Sequence, residues 1–174
     1  MSEWSGTVLR RGGAVSFAVL LALTVAACQP VRAHLTSSSS ASAPPTATEK
    51  QVIAAVNKFR ATHGLRALSA EWNLEDKAHL WSAWMAGGNC GRNANGVPKI
   101  CHSNLTSGIK VSWSLIEENV GAASPKTNIT GIVSGFEHSP EHAANMLNKR
   151  ITAIGIGVAY AGNAVFVVEE FMAQ

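Results

Sequence analysis

Residues 154–171 read Ile-Gly-Ile-Gly-Val-Ala-Tyr-Ala-Gly-Asn-Ala-Val-Phe-Val-Val-Glu-Glu-Phe. Ile154, Ile156, Val158 and Tyr160 alternate with Gly155, Gly157 and Ala159, which is the period of a β-strand with one bulky face and one nearly bare face. A bare face lets another element approach closely. Gly162-Asn163 is a hairpin turn signal, and Val165, Val167, Glu169 and Phe171 mark a return strand. The chain therefore closes on an antiparallel β-hairpin.

Working back from the hairpin, the pattern turns helical. Ser139-Pro140-Glu141 signals a helix start, with Ser as N-cap, Pro at the first position and Glu and His142 in the first turn. Ile129, Ile132, Val133 and Phe136 predict a helix over 125–136. Residues 87–111 read as irregular, with turn signals at Gly91, Asn95-Gly96, Pro98 and Gly108. Leu74, Ala78, Trp81 and Met85 predict a helix over 74–86, ended by Gly87-Gly88. Trp72, Trp81 and Trp84 read first as core or rim packing, with ligand stacking as the alternative. Val52, Ile53, Val56 and Phe59 share a face of an opening helix, for which Thr48 and Gln51 fit a capping box and Gly64 a stop. There is no internal repeat.

Ahead of that helix the composition changes. Residues 29–48 are dominated by Ser, Thr, Ala and Pro, with too little apolar surface to offset ordering entropy, so they read as a tether spanning about 25 Å as a flexible coil. Arg10-Arg11 precede an apolar run from Ala14 to Ala27. These 14 residues suit a signal-peptide core and fall short of the ~20 a membrane-crossing helix needs. The run ends Val25-Ala26-Ala27-Cys28, which resembles a bacterial lipobox. That resemblance implies cleavage before Cys28 and a lipid thioether on its sulfur; an ordinary secreted protein cut nearby and an uncleaved anchor are the alternatives. The expected organisation is a signal peptide over 1–27, a lipidated cysteine and tether over 28–48, and one domain over 49–174. Cys90 and Cys101 remain, and an even pair in an exported protein reads as a disulfide, with two metal-ligating thiolates as the alternative.

The charge balance excludes little. The chain of 174 residues carries +3, and removing 1–27 leaves 12 basic against 10 acidic residues, or +2, without a basic cluster. That argues against nucleic acid as a partner. The chain has no Gly-rich phosphate loop, no His-Glu-x-x-His and no Cys-x-x-Cys. Ser103 follows His102 directly, and neighbours in an extended segment point apart, so no nucleophile–base pair is evident. His63, His79 and His138 read as surface or packing residues.

The remaining chemistry is spaced out along the second half: His102-Ser103, Glu118-Asn119-Val120, Ser139-Pro140-Glu141-His142 and the closing strand. With Val56-Asn57-Lys58-Phe59-Arg60 near the start, this order resembles the CAP superfamily (cysteine-rich secretory proteins, antigen 5, pathogenesis-related 1) in its bacterial SCP-like branch, from about Glu49 to Phe171. The resemblance implies an α+β fold, a three-layer α-β-α sandwich around a small, mostly antiparallel sheet. It also implies a cleft lined by His102, Glu118 and His142, which in many relatives can hold zinc or another divalent metal. The chain departs from the bacterial pattern at Phe136, Glu141, Ala143 and Glu169, and the second acidic cleft residue of the eukaryotic members has no clear counterpart, Glu117, Glu137 and Glu141 being candidates by proximity in sequence alone.

Two imidazoles and a carboxylate match an open zinc site with a water in the fourth position. The alternative is a hydrogen-bonded polar cluster in which Glu118 accepts from one or both histidines. The leading expectation for function is a non-enzymatic binding or interaction module at the bacterial cell envelope, moored to the membrane through Cys28 or secreted. Its ligand would be a lipid, a cell-wall component or a host protein. The alternatives are a metal-dependent hydrolase of peptide or ester bonds using His102, Glu118 and His142, and a purely structural envelope protein.

Overall fold

The computed structural model describes residues 4–10, 44–123 and 129–174. The expected apolar signal core, Cys28 and most of the tether lie outside the described residues. Within them the order is β1 (Trp4–Arg10), α1 (Ala47–Thr62), β2 (Ser69–Ala70), α2 (Trp72–Ala86), β3 (Leu115–Ala123), α3 (Ile129–Glu137), α4 (Pro140–Met146), β4 (Ala153–Ala161) and β5 (Ala164–Ala173). The strands form one sheet in the order β1-β3-β5-β4-β2. All neighbours are antiparallel except β2 and β4.

The predicted hairpin is β4–β5, turning at Gly162, whose φ of 54° is the left-handed conformation glycine adopts without cost. Its bare face meets α2. A Cβ on Gly155 would lie 2.1 Å from the Leu74 carbonyl carbon, and one on Gly157 would lie 2.0 Å from the Ala78 carbonyl oxygen. The absence of side chains there is what lets α2 settle on the sheet.

Two apolar layers flank the strands. On one face Val52 and Val56 of α1 and Ile132, Val133 and Phe136 of α3 bury against Leu115, Ile154, Ile156, Val167 and Phe171. On the other, Leu74 packs with Ile116 and Met172, and Ala78 and Met85 pack with Val120, Phe166 and Val168. This is the expected α-β-α sandwich.

Several local expectations shift. The capping box of α1 is Thr46 with Glu49, not Thr48 with Gln51: the Thr46 N–H donates to Glu49 Oε2 (2.8 Å) and the Glu49 N–H to Thr46 Oγ1 (3.3 Å). Two residues earlier, the same Thr-x-x-Glu/Gln spacing places a carboxylate where α1 meets β4, and the Val158 N–H donates to it. Helix α2 begins at Trp72 behind a Glu71 cap whose side chain accepts from the Leu74 N–H. Ser139 flanks α4 with Pro at its start, as expected, but makes no side-chain cap bond because its hydroxyl meets His142 instead. Residues 4–10, expected inside a signal peptide, form β1 and pair with β3 from Trp4↔Gly121 to Arg10↔Leu115. Among the described residues no helix is long and apolar enough to cross a membrane.

Candidate functional site

Strand β3 carries the site, and the two-residue period of a strand divides it between the sheet faces. Glu118 shares the α2 face with Ile116 and Val120, while Glu117 and Asn119 point to the opposite face, where α1, α3 and α4 lie. Both arrays are buried, with Glu117, Glu118, Asn119, Glu169 and Glu170 each at most 2% exposed.

On the α2 face, His102 Nδ1 lies 2.6 Å from Glu118 Oε1, which also accepts from the Ser103 N–H at 3.0 Å. The Cys90–Cys101 disulfide, expected from the sequence, ends one residue before His102, with its Cα atoms 5.8 Å apart. Trp81 Nε1–H donates to the Cys101 carbonyl at 2.8 Å. These two ties hold the loop that presents the imidazole. Trp81 thus does the packing work expected of it, and its ring stacks on that of Trp84.

The other side of Glu118 holds a residue that sequence reading missed. Lys77 of α2 is buried, and its Nζ lies 3.5 Å from Glu118 Oε2 while donating to Glu170 Oε1 and to Ser103 Oγ. Glu170 sits directly across from Glu118 in the β3–β5 register. Burial pushes the Glu118 carboxyl up, but the His102 hydrogen bond and the Lys77 charge outweigh it and bring the group down to about 2. Glu170 moves well above the usual carboxylate range, through burial and the neighbouring Glu118 charge, against the pull of Lys77. One ammonium is thus shared by two facing carboxyls.

On the opposite face, Asn119 Nδ2 donates to Glu169 Oε2 (2.9 Å) and to the His142 carbonyl (3.2 Å). Asn145 Nδ2 donates to Asn119 Oδ1 (2.9 Å), and Asn148 Nδ2 to Glu117 Oε1 (2.7 Å). His142 packs on Phe136 with ring centroids 4.9 Å apart, and its Nδ1 lies 2.6 Å from Ser139 Oγ. Burial pushes Glu169 up to about 8, only partly countered by Asn119.

The structure therefore joins His102 to Glu118 and places His142 with Ser139 and Phe136. Among the described residues, His102, Glu118 and His142 do not offer three ligand atoms within 4.8 Å of one another. Among the described residues, the group of three ligand atoms lying within 4.8 Å of one another is Glu49, Glu75 and His79. Glu118 already serves His102, Ser103 and Lys77, and a metal beside its other oxygen would face the Lys77 ammonium. Of the candidates for a second acid, Glu117 lies on the opposite face; the carboxyl that faces Glu118 is Glu170, from the neighbouring strand. A strand register, not local spacing, brings Glu170 there, which is why sequence reading passed over it. An open groove of about 870 Å³ between residues 92–100, the end of β3 and the β4–β5 turn includes none of these groups.

Comparison with known proteins agrees with this architecture. Residues 53–171 match the profile of the Cysteine-rich secretory protein family (CAP), and the chain belongs to that family. Three solved structures share the fold. An extracellular protein containing an SCP domain from Bacillus anthracis aligns with a TM-score of 0.59 at 23% identity, over 76% of this chain and 45% of that one. An outer surface protein from Borrelia burgdorferi aligns with a TM-score of 0.57 at 20% identity, over 73% of this chain and 92% of that one. A cysteine-rich secretory protein from Staphylococcus aureus aligns with a TM-score of 0.54 at 15% identity, over 73% of this chain and 38% of that one. This chain thus spans less than half the length of the Bacillus and Staphylococcus proteins. No curated protein sequence matches it.

Proposed function

We propose that this CAP protein is an exported, lipid-anchored binding module at the bacterial cell envelope. The carrying observation is that His102, Lys77 and Glu170 converge on Glu118. Nucleophilic catalysis needs an activating base held at the hydroxyl, whereas Ser103 Oγ meets Lys77, a cation held by Glu118 and Glu170. A metal hydrolase needs an assembled ligand set, and Glu118 is committed to His102 on one oxygen and to the Lys77 charge on the other. Such a cluster stiffens the walls of a cleft without supplying turnover, so the hydrolase reading is not favoured.

Export and anchoring rest on the Arg10-Arg11 start, the apolar run to Ala27 and Cys28. The extracellular and outer-surface descriptions of the Bacillus and Borrelia proteins support the same placement. In the mature protein, cleavage before Cys28 would also remove β1 and bare the edge of β3 beside Glu118. A row of backbone N–H and C=O groups flanked by His102 and His142 would then face the ligand.

The test is binding of the purified mature protein to lipid vesicles and to cell-wall fragments, run beside peptidase and esterase assays. The expected result is saturable binding that weakens at least tenfold in His102→Ala, without turnover. Metal-dependent hydrolysis abolished by His102→Ala would overturn the reading. A Cys28→Ser chain is expected to move from the membrane fraction to the medium.

A further inference from the structure

We propose that Glu49, Glu75 and His79 form a binding site for one divalent transition-metal ion, zinc or manganese by ligand type, where α1 meets α2. The site is separate from His102–Glu118: it lies beside β4, with β5 between it and β3. It is independent of the binding role above.

The ligands come from two helices. Glu75 and His79 lie one turn apart on α2 and so share a face. Glu49 is the acid of the α1 capping box and arrives already oriented: Oε2 accepts from the Thr46 N–H at 2.8 Å, and Oε1 from the Val158 N–H at 3.2 Å. Each oxygen keeps a lone pair. His79 Nε2 lies 2.8 Å from Glu49 Oε1 and 4.0 Å from Glu75 Oε2, so one ligand atom from each residue falls within 4.8 Å of the others. Bonds of ~2.1 Å to a shared ion in tetrahedral geometry set ligand atoms ~3.4 Å apart, so His79 and Glu49 would part slightly and Glu75 would close in, a small adjustment.

The independent sign of a ligand is Glu75. It is 2% exposed, and neither carboxylate oxygen has a hydrogen-bond partner. His79 Nε2 lies within reach of both carboxylates. A buried carboxylate without donors is costly, and a cation or a proton must neutralise it. With His79 neutral, Glu49 and Glu75 carry two negative charges, which a divalent ion cancels. Burial, partly offset by His79 and reinforced by the charges of Glu49, Asp76 and Glu71, lifts Glu75 to about 7, so the competing state is a protonated Glu75 with no ion. One nitrogen and two carboxylates suit zinc or manganese better than calcium, which prefers oxygen alone. The His79 side chain is 27% exposed, leaving solvent access for the ion and for water in the remaining positions.

The test uses the purified full chain, stripped with a chelator and titrated with zinc chloride or manganese chloride, followed by calorimetry, metal analysis and thermal melting. The expected result is one ion per chain and a melting temperature several degrees higher. Affinity should fall at least tenfold in Glu75→Gln and in His79→Ala and stay unchanged in His102→Ala. The partly exposed His79 makes His79→Ala the decisive variant should Glu75→Gln fail to fold. Stoichiometric uptake unaffected by these substitutions, uptake abolished by His102→Ala, or no uptake at all would overturn the proposal. So would Glu75→Gln raising the melting temperature of a chain that does not respond to metal.

Discussion

Glu118 and Glu169 lie on adjacent strands, equally sealed from water, and titrate in opposite directions. Glu118 has the His102 hydrogen bond and the Lys77 charge and falls to about 2, whereas Glu169 has the Asn119 amide and rises to about 8. A lowered carboxyl contributes stability that is present above the unfolded value of about 4.5 and is lost as pH falls towards 2. A raised carboxyl does the reverse: native Glu169 keeps a proton the unfolded chain has released, so stability declines as pH rises from about 4.5 to 8. By the upper end, this decline should amount to a few kcal/mol. Glu169→Gln keeps an acceptor for Asn119 and removes the titration. It should lessen the fall in melting temperature between pH 5 and 8, to which Glu75 and Glu170 also contribute, while leaving the acid limb intact, as thermal melts across pH would show. At this scale the sequence was half legible. The order of motifs pointed to His102 and Glu118, whereas Lys77 and Glu170 reach the cluster through the α2–sheet contact and the β3–β5 pairing, neither of which leaves a local mark. His79, read as a surface or packing residue, stands i, i+4 from Glu75, a spacing that alone could have linked the two.

Helix α2 and strand β4 show what patterning tells about an element and what it withholds. Alternating glycines marked one face of β4 as bare but did not say which element would cover it. The answer is the backbone of α2 from Leu74 to His79, which a Cβ on Gly155 or Gly157 would meet at 2.0–2.6 Å. Backbone cannot yield as a flexible side chain does. Gly155→Ala should therefore cost about 3 kcal/mol, at the upper end of overpacking penalties, measured by urea unfolding. Because α2 also carries Lys77, the same variant should weaken the Glu118 cluster, seen as a rise in the Glu118 pKa by NMR. Strand β3 escaped expectation because Glu-Glu-Asn at its centre breaks the apolar alternation by which strands are recognised; its polar residues are tolerated in the core only because each face supplies partners.

For the whole molecule, the three layers and the mostly antiparallel sheet followed from the family resemblance, and the hairpin from periodicity alone. Long-range ties then fix the irregular loop to this frame. Cys90–Cys101 closes a short loop and Trp81 holds the Cys101 carbonyl. Replacing both cysteines with serine should cost ~3 kcal/mol on the chain-entropy account. Amide exchange should then quicken around His102 before it does in β5. The pairing of Trp4–Arg10 along Leu115–Gly121 carries a consequence for biogenesis. If residues 1–27 are an export leader, these seven residues cannot serve both roles at once. A chain that folded in the cytosol would stitch its leader into the sheet, out of reach of the translocation machinery. On that reading, threading through the membrane would have to outrun sheet closure, and a holding chaperone or rapid co-translational engagement would belong to the maturation of such a chain.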